Sequence, residues 1–207
     1  TGGTVTVTGA LTGNVTAGTV TAGSMIGNVS SSVTVTGQLT GEITAGTNAL
    51  GSLSSASVTG GTNTITGAAN VTTINGGTTS VTGVATITTL TSGTLNLNGA
   101  TSSIGTLTDG TITLGNTTAL TAHDGTFAGL LAGGGSLIKA SSGTLTINGA
   151  NTFTGGTTIN AGTLTIGNVA ALGTGTITVA SGGTLNLDGR VVSNAISVLG
   201  TGVVTGG

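Results

Sequence analysis

Along almost the whole chain, aliphatic residues alternate with hydroxyl- or amide-bearing ones in short runs. Thr4 to Thr8 reads TVTVT, Ser32 to Thr36 SVTVT, Thr94 to Asn98 TLNLN, Gly143 to Ile147 GTLTI, Thr163 to Ile166 TLTI, Thr176 to Val179 TITV and Thr184 to Leu187 TLNL. A period of two puts successive side chains on opposite faces of a strand, one face apolar and the other polar. Gly, Asn or Ser bounds each run, as turns require. No segment carries a 3.6-residue apolar stripe, and Thr, Val, Ile and Gly are poor helix formers. The pattern predicts an all-β chain of many short strands.

The runs also repeat. Residues 5 to 19 (VTVTGALTGNVTAGT) agree with residues 33 to 47 (VTVTGQLTGEITAGT) at twelve of fifteen positions, an offset of 28. VTTINGGT at 71 is echoed by ITTLTSGT at 87, LTSGTLNL at 90 by LTDGTITL at 107, and GTLTI at 143 recurs at 162, with GTLNL at 183. A drifting unit of 16 to 28 residues with two or three strands fits one coil of a β-solenoid, in which each coil buries its inward side chains against its neighbours. At a strand spacing near 4.8 Å and about 20 residues per coil, roughly ten coils would make a rod about 50 Å long. Inward Val, Ile, Leu and Ala form its aliphatic column, outward Thr forms ladders, and Asn and Gly turn the corners. A β-sandwich is the alternative, disfavoured by repeats this short. The organisation predicted is one repetitive solenoid over 1–207, with degenerate Thr- and Gly-rich coils in 1–135, a distinct repeat in 136–189 and a further coil in 190–207. Both ends fall in mid-pattern, so the chain reads as an excerpt of a longer polypeptide.

Composition removes whole classes of function. Only 3% of the 207 residues are charged and 1% aromatic; 42 are Gly, and Pro, Cys, Trp and Tyr are absent. Two cations, Lys139 and Arg190, cannot form the basic stripe that nucleic acid requires. Without cysteine there is no disulfide framework or thiolate metal site. Irregular Gly without Pro excludes collagen. Mean hydropathy of +0.50 with a net charge of -2 is unlike a disordered chain. The longest weakly polar run, Phe127 to Ile138, is broken by Gly133, Gly134, Gly135 and Ser136 and is far short of the roughly 20 residues of a spanning helix. Two Phe cannot build the aromatic girdles of a membrane barrel, and no export signal opens the sequence.

One stretch has a recognisable wording. SLIKASSGTLTINGANTFTGGTTINAGTLTIGN, residues 136 to 168, resembles the passenger-associated transport repeat of bacterial autotransporters. Lys139 stands at the family's Lys, Asn151-Thr152-Phe153-Thr154-Gly155 at its NTYTG with Phe for Tyr, and Thr157-Thr158-Ile159 with Gly162-Thr163-Leu164 completes the match; 173 to 189 is similar to the usual continuation of that repeat. The resemblance implies a right-handed parallel β-helix displayed outside a bacterial cell. It covers about a quarter of the chain, and 1–135 shares only its style.

Candidate chemistry is sparse. Glycoside hydrolysis needs two carboxyl groups about 5 to 9.5 Å apart. The acids are Glu42, Asp109, Asp124 and Asp188, of which Asp109 and Asp124 would approach if one coil separates them, with Phe127 the one aromatic nearby. His123 beside Asp124 invites a triad or metal reading, but neighbours on a strand face opposite ways, and AHDGT reads as a solvated corner. Neither calcium-loop pattern occurs, and Gly133-Gly134-Gly135 lacks the Lys and Ser/Thr of a phosphate loop, so it reads as a bend. Asn14, Asn28, Asn70 and Asn116 begin N-x-S/T sequons, common by chance in so Thr-rich a chain. Asp188 and Arg190 could pair on one face, worth about 0 to 1 kcal/mol. No catalytic, cofactor-binding or metal-binding residue is assigned, and no cofactor is expected.

The reading is therefore a non-catalytic extracellular structural protein of the bacterial surface: a filament, sheath, matrix fibre or adhesin stalk. Near-zero net charge and open coil ends predict self-association end to end, and the Thr faces offer lateral packing. The sequence names no receptor and predicts neither a nucleic-acid partner nor a membrane span. The alternative is an ice-binding solenoid, from Thr-x-Thr pairs at Thr4/Thr6, Thr6/Thr8, Thr34/Thr36, Thr64/Thr66, Thr106/Thr108, Thr111/Thr113, Thr144/Thr146, Thr163/Thr165 and Thr176/Thr178, whose irregular spacing argues against it. A glycan-processing β-helix enzyme comes third.

Overall fold

A computed structural model describes residues 3–206. Nineteen strands, from Thr4–Thr12 to Val203–Thr205, join in one sheet whose strand pairs are parallel, and no helix occurs among the described residues. Each strand pairs with its counterpart one coil later, which is the predicted β-solenoid.

Stacked inward positions count the coils. Leu11, Met25, Leu39, Leu53, Ala69, Ala85, Ser102, Leu120, Leu137, Thr157, Ile177 and Ile196 succeed one another in register, twelve rungs in all. Successive members are 14 residues apart at the start of the chain and 19 to 20 at its end. The coil number exceeds the expected ten because the early coils are short: the 28-residue repeat is two coils of 14, not one. A second column runs Val15, Val29, Ile43, Val58, Ile74, Leu90, Leu107, Gly125, Leu145, Leu164, Leu185 and Val204. One continuous apolar cluster extends from Val15 to Leu187.

In the wide coils most of the extra residues enter at one corner. From the first column to the second the chain takes four residues in Leu11–Val15, five in Leu120–Gly125 and eight in Leu137–Leu145 and Ile196–Val204. The rod is narrow before residue 130 and steps to a wider section in the repeat that resembles the transport repeat.

At another corner Gly9, Gly23, Gly37, Gly51, Gly67, Gly83 and Gly99 stack as a spine. A Cβ at Gly37 would lie 2.6 Å from the Gly23 carbonyl oxygen and one at Gly67 2.5 Å from that of Gly51, whereas one at Gly9, in the first described coil, meets nothing within 4 Å. The aliphatic interior is interrupted by Asn48, Asn63 and Thr79, stacked and buried: Asn48 donates to Asn63 (2.7 Å) and Asn63 to Thr79 (3.3 Å), while Asn48 accepts the Val33 amide (3.2 Å). Every buried amide is thereby used, as burial demands.

Candidate functional site

Two polar residues of the repeat motif, Lys139 and Asn151, are internal, while Thr152 and Thr154 face outward. Lys139, Asn151 and Phe153 are buried, the Lys139 side chain completely. Lys139 occupies an inward column between Ala122 of the preceding coil and Ile159 of the next. Its Nζ donates to the backbone oxygen of Ser141 (2.5 Å) and to Ser141 Oγ (2.7 Å), and lies 3.6 Å from Asp124 Oδ1. Ser141 Oγ in turn donates to Asp124 Oδ1 (2.6 Å). Asp124 belongs to the last narrow coil and Lys139 and Ser141 to the first wide one, so the cluster clamps the step in the rod. Burial lowers the Lys139 pKa, because desolvation penalises the ammonium more than the neighbouring Asp124 carboxylate favours it. Asn151 bridges likewise: its Oδ1 accepts the Leu131 amide (2.7 Å) and its Nδ2 donates to the Ala171 carbonyl (2.6 Å).

Asp109, Asp124 and His123 are not brought together as a catalytic set. Asp124 faces Lys139 and Ser141 rather than the His123 ring, whose Nε2 meets Ser103 Oγ at 3.4 Å, so the two neighbours do not form a triad. The segment expected to be a solvated corner lies within the strand Ala119–Phe127, and His123 and Asp124 are both half-buried; the next, wider coil covers them. Asp109 engages its own turn through the Gly110 amide (2.7 Å), and the register places Thr106, not Asp109, against Asp124. Glu42 offers its amide to Asn28 Oδ1 (3.0 Å), as Asn28 does to Asn14 (2.9 Å), which spends two of the four sequon asparagines on the coil-to-coil ladder. Asp188 and Arg190 form the expected pair (2.6 Å), and Arg190 also donates to the Ile166 carbonyl (3.2 Å). Gly133 ends the strand Leu130–Gly133, and Gly134 and Gly135 continue from it as a bend. A shallow depression of about 290 Å³ between Thr34, Thr36, Ala49, Gly51 and Thr66 is lined by no titratable residue. Among the described residues no three His, Asp or Glu side chains gather as metal ligands, and no helix is long and apolar enough to cross a membrane.

One outer face is regular in a way the sequence hides. Its strands present Thr4/Thr6, Thr19/Thr21, Ser32/Thr34, Thr47/Ala49, Thr62/Thr64, Thr78/Ser80, Thr94/Asn96 and Thr111/Thr113 in two columns over eight coils, up to Leu130/Ala132. The irregular sequence spacing of these pairs, which as bare text argues against such a face, reflects coils of unequal length rather than lost register. Thr19/Thr21 and Thr62/Thr64 escape a reading of the letters, in which Thr64 pairs with Thr66; in the fold Thr66 turns the corner.

Residues 137–166 match the family model described as passenger-associated-transport-repeat. Over 113 residues, 54% of this chain, the sequence is 35% identical to the adhesin BmaC autotransporter of Brucella suis biovar 1 (strain 1330). The matched stretch is 3% of that protein's length. No solved structure matches.

Proposed function

We propose that this chain is a non-catalytic stalk segment of a bacterial surface adhesin, exposed outside the cell. The observation that carries the reading is a coil stack unbroken from its first rung to its last, joined to a transport repeat whose Lys139 and Asn151 are spent inside the rod. Side chains turned inward hold coils together and cannot process a substrate. A rod about 50 Å long, rising one strand spacing per coil, is suited to hold other parts of a surface protein away from the cell.

The stalk also joins copies end to end. A net charge of -2 leaves little electrostatic repulsion between copies. Neutral Thr walls permit lateral association in sheaths.

Negative-stain microscopy and labelling of intact cells test this reading. The expected result is straight rods in end-to-end strings, and antibody labelling of unbroken cells making the parent protein. Compact particles, or labelling only after lysis, would overturn it.

A further inference from the structure

We propose that the two-column threonine face binds ice. This activity would belong to the wall itself, whether or not the rod serves as a stalk. Twelve of the sixteen outward positions are Thr. Composition alone does not produce this. The equivalent column on the next face reads Thr12, Ile26, Thr40, Ser54, Asn70, Thr86, Ser103, Thr121, a mixed series over the same eight coils. Threonine is concentrated on one wall.

The hydroxyls on that wall are also uncommitted. Thr36, Thr44, Thr66, Thr82 and Thr118, off this face, donate theirs to backbone carbonyls of the preceding coil. Among the described residues, none of the twelve face threonines spends its hydroxyl inside the protein. Eight of the twelve are exposed and Thr21, Thr78, Thr94 and Thr111 are half-buried, so these hydroxyls are free to meet partners outside the protein.

Spacing and charge then identify the partner. Coils rise about 4.8 Å apart and alternate residues of one strand lie about 6.7 Å apart, so the hydroxyls form a regular grid about 34 Å tall. That grid approximates the oxygen repeats of a hexagonal ice surface. The charged residues Glu42, Asp109, Asp124, Lys139, Asp188 and Arg190 all lie off the two columns, so the wall is as neutral as the lattice it meets. Each Thr offers a methyl group that sheds water and a hydroxyl that holds one in place, and the stacked β-strands keep both rigid.

The test is thermal hysteresis and ice-crystal shape in a nanolitre osmometer, using the 207-residue chain and two variants of the strand Ser32–Thr40. Thr34→Tyr puts a bulky ring on the grid; Thr40→Tyr puts the same ring on the adjoining face. Both sites are exposed, and thermal melts followed by circular dichroism verify that both variants fold. Faceted crystals and a hysteresis gap for the parent chain and Thr40→Tyr, with several-fold loss in Thr34→Tyr, support the proposal. No gap for the parent chain, or equal loss in both variants, overturns it.

Discussion

The ammonium of Lys139, inside the rod, and the half-exposed carboxylate of Asp124, at its wall, stand 3.6 Å apart across the coil boundary where the solenoid widens, with the Ser141 hydroxyl bonded to both. A buried charge stripped of its counter-ion is costly, whereas an apolar replacement removes the charge altogether. Asp124→Asn is expected to cost about 2 kcal/mol, discounted for the exposure of Asp124, and Lys139→Met to stay within about 1 kcal/mol of the parent. Hydrogen exchange of the Leu137–Ser141 amides reads the difference, because local opening need not unfold the whole array. Equal protection in the two variants would remove the clamp.

The same lysine sets a pH dependence. Its pKa in the folded rod lies below the ordinary 10.5, so between those two values the unfolded chain binds more protons than the folded one. Stability therefore rises with pH over that alkaline window, and the penalty for burying the ammonium is fully present below it. Denaturant midpoints of the parent, relative to Lys139→Met, are expected to climb as pH approaches 10.5. A flat difference would count against it.

Much of this fold is legible because alternation and repetition are local properties of the letters. TVTVT and GTLTI announce strands whatever surrounds them, and the likeness of 5–19 to 33–47 announces stacking. What alternation cannot give is coil length. A 28-residue match reads the same as one coil or two, and only the glycine corners, invisible as such in a sequence with 42 Gly, decide for two. Lys139 stands out in the text as a motif residue but not as an interior one, since a lysine letter carries no sign of the Ala122 below it or the extra corner residues around it. For the same reason nothing in the text marks Thr19/Thr21 and Thr62/Thr64 as partners of Thr4/Thr6.

Inside the narrow half, Asn48 and Asn63 share a hydrogen bond in an otherwise apolar setting. Asn63→Val is expected to cost about 2 kcal/mol by leaving amide groups unpaired. The double variant Asn48→Val/Asn63→Val should cost less than the two singles combined, with a coupling of at least about 0.5 kcal/mol in a double-mutant cycle. Strict additivity would show that the pair contributes nothing of its own.

Thr157 presents the opposite case, a buried hydroxyl with no partner among the described residues. Valine has nearly its shape and no polar group to desolvate. Thr157→Val is expected to stabilise the rod by about 1 kcal/mol, read as a raised melting temperature. A lower one would mean the hydroxyl has a partner.

The glycine spine gives a paired prediction. Gly37→Ala pushes a methyl group into the Gly23 carbonyl and is expected to cost about 2 kcal/mol or more, whereas Gly9→Ala, with open space beyond its Cα, should lie within about 0.5 kcal/mol of the parent. Melting temperatures of the two variants decide it.

That spine also bears on how such a chain changes length. Seven corners form one stack, and six of them seat on the backbone of their predecessor, so a whole loop can be copied or deleted and the flanking loops will still mate. A pair of loops added together would leave near-duplicate text like that at 5–19 and 33–47, and the shifts of register at the glycine corner, between Val7 and Ala10, Ala22 and Met25, and Val35 and Gln38, are absorbed there without disturbing the loops beyond. The molecule can therefore lengthen by turns and widen by residues.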